Sequence, residues 1–146
     1  MRRQLLLSAI LVAASAATTA AQQAPSKQTP QSAKQVMAAG VWNGKSMTGA
    51  KDSVVTTYTL WIAPDGKSAT IKFPNRDAIP SRVAAMGGDS IVIETGPYPS
   101  ILRPGQTVDL VRTVVHVKGD MMMGAFETRY AGGDVVKGKM EAMRGK

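Results

Sequence analysis

The stretch from Thr107 to Tyr130 reads Thr-Val-Asp-Leu-Val-Arg-Thr-Val-Val-His-Val, then Lys-Gly-Asp, then Met-Met-Met-Gly-Ala-Phe-Glu-Thr-Arg-Tyr. Two runs of about ten residues, rich in β-branched and aromatic types and parted by Gly119-Asp120, have the pattern of a β-hairpin. The same grammar recurs along the chain. Ser53 to Ile62 alternates, with Val54, Thr56, Tyr58, Leu60 and Ile62 on one face, as a half-buried strand does. Pro64-Asp65-Gly66 is a turn in which Pro fixes φ, Asp bonds the local backbone and Gly accepts positive φ. Further strands are expected over Gly40 to Met47, Lys67 to Phe73, Ile79 to Met86, Ser90 to Thr95 and Asp134 to about Met143. Ser100 to Leu102 is expected to pair briefly within the proline-rich loop Gly96 to Gln106.

No helical pattern is long enough for a parallel crossover. The expected fold is therefore all-β, an eight-stranded antiparallel up-and-down barrel, which closure leaves without free edges. A two-sheet β-sandwich is the alternative, although its Greek-key connections usually need longer loops.

The first residues follow a different logic. Met1 to Gln4 is a basic head, Leu5 to Ala14 an apolar run and Ser15 to Ala21 a small-residue tail, the pattern of a secretory signal peptide. Cleavage is expected near Ala20 or Ala21, and the apolar run is too short for a membrane anchor. Residues 22–39 read as a flexible leader, with one or two helical turns over Ser32 to Ala39, and 40–146 as the barrel domain. The expected location is the periplasm or the medium. With no cysteine in the chain, no disulfide braces the domain there.

The formal charge is +8, falling to +6 without Arg2 and Arg3. The cations are dispersed among ten acidic residues rather than clustered beside aromatics, so no nucleic-acid partner is expected.

Gly40-Val41-Trp42, placed at the start of the first strand, resembles the Gly-x-Trp of lipocalins, avidins and other calycins. The chain is also similar to small secreted bacterial proteins described as lipocalin-like. The resemblance implies that Trp42 closes the base of the barrel beneath a basic side chain from the last strand, with Arg144 the first choice and Lys146 the second. It further implies an extracytoplasmic binding protein with a small hydrophobic or amphipathic ligand inside the barrel. The expected lining is Tyr58, Leu60, Phe73, Val83, Ile91, Ile93, Leu110 and His116, with Arg112 as a polar anchor. Tyr98 and Arg103 belong to the loop, which reads either as a pocket lid or partner contact or as a rigid connector. Two rivals stand beside this reading. One is a solid barrel that serves as a structural or protein-interaction module of the cell envelope. The other is an interior enzyme in which Arg112, His116 and Glu127 converge.

Little else in the sequence carries chemistry. His116 is the only histidine, which removes the usual zinc donor sets; it is either a hydrogen-bonded barrel or rim histidine or the polar anchor of a ligand. No Gly-x-Ser-x-Gly elbow occurs, and Glu94 and Glu127 are as well explained by a solvated face as by acid–base pairing. Met121-Met122-Met123, with Met140 and Met143, raises copper, since thioethers suit Cu(I). In a strand, however, the middle methionine faces away from its neighbours. The methionines are therefore expected as core fillers, with no metal, no cofactor and no change of thermal stability on adding Cu(I).

Overall fold

The structure, a computed structural model, describes residues 37–146. The expected signal peptide and most of the leader lie outside the described residues. Of the helical turn expected over Ser32 to Ala39, Met37 and Ala38 are described and are helical.

The strands are β1 (Gly40–Thr48), β2 (Ser53–Ile62), β3 (Ser68–Lys72), β4 (Ile79–Gly87), β5 (Ser90–Thr95), β6 (Tyr98–Pro99), β7 (Thr107–Lys118), β8 (Met121–Tyr130) and β9 (Val135–Arg144). All pairings are antiparallel. They follow chain order from β1 to β5 and from β7 to β9, and two further pairings, β1 with β9 and β5 with β7, close the ring. Eight strands thus form an up-and-down barrel, with the two-residue β6 attached to the outer end of β7.

Local chemistry accounts for the turns. In the β2–β3 turn, Asp65 Oδ1 accepts from Lys67 N at 2.9 Å, Gly66 N donates to Ala63 O at 2.9 Å, and Gly66 has φ +65°. The two shortest hairpins turn on Gly88 and Gly119, both at φ +61°, where a Cβ would be strained.

The barrel has two unlike ends. At the base, where β1 begins and β9 finishes, Trp42, Ile62, Met122 and Val115 are the largest fully buried side chains. At the top stand the β1–β2, β3–β4 and β8–β9 turns and the loop from β5 to β7.

Three bulges reset the inward row, one of them on β4, where Val83 pairs with Ile93 but Ala85 with Val92 and Ala84 has no partner. On β2, Ser46 pairs with Thr56 but Met47 with Val54, so Val55 has no opposite number and Val54 is 54% exposed rather than internal. On β7, Val108 pairs with Tyr130 but Leu110 with Arg129, which leaves Asp109 unpaired. Because one extra residue flips every side chain beyond it, Val108, Val111, Thr113, Val115 and Val117 face inward. Leu110, Arg112 and His116 face outward, correcting their expected place in the interior.

The loop differs from expectation in a second respect. Tyr98 and Pro99, not Ser100 to Leu102, pair with β7. The Ser100 side chain is otherwise engaged, accepting from Arg103 N at 3.0 Å. Arg76 donates to the carbonyls of Pro99 and Ser100 at 2.6 and 3.0 Å, and Ser100 N donates to Gln106 O at 2.8 Å, the last backbone bond before the loop turns.

Candidate functional site

The inside of the barrel is packed around Trp42 at the base, with a pocket of about 70 Å³ beside it under Met37 and Ala38, lined by Met86, Ile91 and Val117, and it is hollow above. The upper cavity encloses about 80 Å³, and the concavity reaches about 780 Å³ when its open mouth is counted. Tyr58, Leu60, Ile71, Phe73, Ile93 and Phe126 form its walls. Val108, Val111, Tyr130 and Met140 add to them, and Thr95, Thr113 and Thr128 contribute hydroxyls. The aromatic rings gain their room from glycines opposite them. A Cβ on Gly44 would lie 2.4 Å from the Tyr58 ring, and one on Gly138 would lie 2.5 Å from Phe126. Each ring thus occupies the space that a Cβ would have taken.

The mouth is covered in part by the loop between β6 and β7. Tyr98 reaches inward, its ring centroid 6.2 Å from that of Phe73, and Ile101 and Leu102 line the opening. Two arginines fix this cover. Arg76 bonds it to the β3–β4 turn, as above. Arg103 donates to Asp134 Oδ2 at 2.8 Å and stands 4.5 Å from the centroid of the Tyr130 ring, a cation–π contact. Loop and rim are thereby one connected surface.

Burial pushes the Tyr98 phenol up to about 12, with the neighbouring Tyr130 adding to the rise and Arg76 opposing it. Burial also raises Tyr58, helped by the charge of Glu141. The sign follows directly. Each phenol ionises more readily in the unfolded chain than in the barrel, so its contribution is intact below about pH 10, the ordinary tyrosine value, and lost as pH rises toward the folded value. Stability is expected to fall steeply between about pH 10 and 12. Denaturant midpoints across that range test this, with phenolate absorbance of Tyr58 and Tyr98 appearing together with unfolding; early ionisation of both in a folded barrel would refute it.

Of the expected lining, Tyr58, Leu60, Phe73, Ile93 and Tyr98 border the cavity. Ile91 is buried in the core and Val83 packs against it. Arg103 clamps the loop instead of lining the pocket. Lining from Val108, Val111, Thr113, Phe126, Thr128 and Tyr130 was not anticipated; the alternation of Phe126, Thr128 and Tyr130 on β8 was its one sequence signal.

The three residues of the interior-enzyme alternative do not converge inside. Arg112 lies at the β5–β7 closure, its Nη1 3.4 Å from Glu94 Oε1, and Arg82 holds the other oxygen of the same carboxylate. Glu127 pairs on the outer wall with Arg129 at 2.9 Å and Lys137 at 3.4 Å, whose hydrogen bonds hold its carboxyl below the usual range. His116 bonds Ser90 Oγ through Nδ1 at 2.9 Å, also outside. Among the described residues the cavity lining contains no carboxylate, imidazole, ammonium or guanidinium, its titratable groups being Tyr58, Tyr98 and Tyr130.

At the base, Trp42 Nε1 donates to Ala38 O at 2.9 Å, and the Arg144 guanidinium stands 4.3 Å from the centroid of the Trp42 ring. The same guanidinium donates to Ala39 O at 2.8 Å, to Met37 O and, through Nε, to Asp120 Oδ1 at 3.1 Å. Gly40, at φ +117°, lets the chain turn beneath it.

The methionines divide by face. Met122 and Met140 are buried at 0% and 5%, whereas Met121, Met123 and Met143 are 45%, 46% and 53% exposed. The core-filler expectation therefore fails for those three, which the period of the strand turns to solvent.

No protein family, curated protein or solved structure matches the chain.

Proposed function

We propose that this is an extracytoplasmic binding protein of calycin type, holding a small apolar or amphipathic molecule in the upper cavity of the barrel. The observation that carries the proposal is the aromatic lining of the upper cavity, which reaches about 780 Å³ with its open mouth counted. A hollow, aromatic-lined top with a few hydroxyls is what a ligand site requires. The indole–guanidinium closure of Trp42 and Arg144 supports the calycin reading, and the signal-like residues 1–21 support export.

The enclosed volume limits the ligand. About 80 Å³ compares with roughly 150 Å³ for an apolar cavity that admits benzene, and with about 300–1,000 Å³ for drug-sized sites. A short chain or single ring fits with minor movement of Ile101 and Leu102; a larger ligand must project through the mouth. That same small volume favours the solid-barrel interaction module as the second reading.

Native mass spectrometry on protein recovered gently from its own host, repeated after denaturation, separates the two. The expected result is a bound small molecule that is lost on unfolding. Thr113→Trp, which fills the cavity, is expected to lose it while retaining cooperative melting, and Leu102→Ala, which widens the mouth, to retain it. A clean apo mass with no thermal shift from small apolar compounds would leave the solid barrel. Ligand retained by a folded Thr113→Trp variant would move the site out of the interior.

A further inference from the structure

The outer wall near the base carries the three exposed methionines of β8 and β9, and the register gathers them. Met121 and Met123 lie two residues apart on the same face of β8, about 7 Å along the strand. Met143 of β9 is the cross-strand partner of Met121. Directly opposed side chains have Cβ atoms about 4.5–5.5 Å apart, and diagonal neighbours about 7–8 Å. Methionine has three rotatable bonds, so thioethers at these spacings can turn their sulfurs toward a common point. Exposed apolar residues occurring singly need no explanation, but three thioethers at adjacent register positions place three soft donors side by side.

A fourth donor stands on the other flank of β8. His116 is the cross-strand partner of Met123 and faces the same way. Its Nδ1 lies 2.9 Å from Ser90 Oγ and 3.4 Å from Asp89 Oδ1, and that contact holds the Asp89 carboxyl below its ordinary range. Nε2 has no hydrogen-bond partner among the described residues. Fixing one ring nitrogen through a hydroxyl or carboxylate orients the other for ligation.

We infer that Met121, Met123, Met143 and His116 form a surface site for a soft monovalent cation, Cu(I) or Ag(I). Neutral thioethers select soft ions and need lose no proton to bind them. Zn²⁺ is served better by thiolate, carboxylate and several imidazoles, and His116 is the chain's one histidine, with no cysteine present. Lys118 opposite Met121 and Glu141 opposite Met123 flank the site with opposite signs, and Lys45 lies 3.3 Å from Glu141. The strand period that seemed to forbid a methionine chelate thus creates one: Met122 turns inward, and its two neighbours join Met143 outside. The site is independent of the cavity, which opens at the other end of the barrel.

Ag(I), which does not change oxidation state under assay conditions, is the probe. Titration of the full protein followed by methionine-methyl and imidazole NMR is expected to saturate at one equivalent. The Met121, Met123, Met143 and His116 signals should shift together while those of Met122 and Met140 stay in place. Met123→Leu preserves the bulk and exposure of the side chain and should lower affinity at least about tenfold, the low end of what even an outer-sphere loss costs a metal site. Cu(I) held by a competing chelator in reductant should follow the same order, and equimolar Zn²⁺ should not displace Ag(I). Non-saturating shifts, saturable binding that survives the triple change Met121→Leu, Met123→Leu and Met143→Leu, or displacement by Zn²⁺ would overturn the assignment.

Discussion

Trp42→Ala is expected to cost about 3–5 kcal/mol, the range for deleting a large buried aromatic side chain. The indole is fully buried and is held on two sides, by the Ala38 carbonyl at its Nε1 and by Arg144 over its face. Its removal leaves a void between strands already paired on both edges, so collapse recovers little. It also strips Arg144 of its stacking partner while leaving the guanidinium tied to Ala39 and Asp120. Against a typical total of about 5–15 kcal/mol, such a loss leaves a marginal barrel. Urea unfolding should show a large drop in midpoint with the slope retained, and Trp42→Phe should lose distinctly less. A midpoint within experimental error of the parent would show that the base is sealed by something other than the indole.

Gly124→Ala should be at least as damaging, although it adds a single methyl group. Gly124 faces inward between Val115 of β7 and Met140 of β9. A Cβ there would lie 1.9 Å from the carbonyl oxygen of Val114 and 2.7 Å from Val115 Cα. Both are backbone atoms within a ladder that closes the barrel, so no side-chain rotation relieves the clash. Overpacking commonly costs about 1–3 kcal/mol and sometimes more; with main chain as the obstacle, a loss above about 3 kcal/mol or failure to fold is expected. Gly132→Ala is the control. Nothing lies within 4 Å of a Cβ at Gly132, and its effect should stay within about 0.5 kcal/mol. Equal effects of the two changes on urea midpoints would refute the steric account.

The strands and turns of the barrel were legible because they depend on local pattern. Alternation over Ser53 to Ile62 and glycine-bearing turns such as Gly119-Asp120 identify hairpins without knowledge of neighbours. The phase of β7 was not legible, since the bulge at Asp109 depends on a residue outside the strand. A Cβ on Gly96 would meet Asp109 O at 2.6 Å, so it is a glycine in the preceding loop that makes room for the bulged carbonyl. With that one residue displaced, Leu110, Arg112 and His116 moved outside, while Val111 and Thr113 came to line the cavity. The methionines failed for a related reason. Three consecutive methionines are equally apolar, so their own hydrophobicity does not say which face of β8 turns inward, and the meeting of Met121, Met143, Met123 and His116 spans three strands whose register no local pattern reveals.

The β1–β9 junction bears on the order in which the barrel assembles. Most strand pairs join neighbours in the chain, but Trp42 pairs with Arg144, across nearly the whole barrel. Neighbouring hairpins form on microsecond timescales, whereas this contact waits until the intervening sheet has brought its ends together. A contact made after the rate-limiting step influences escape from the native state more than arrival at it. The indole–guanidinium clasp is therefore a latch on the unfolding rate. A barrel without it would fold at nearly the normal speed and reopen far sooner.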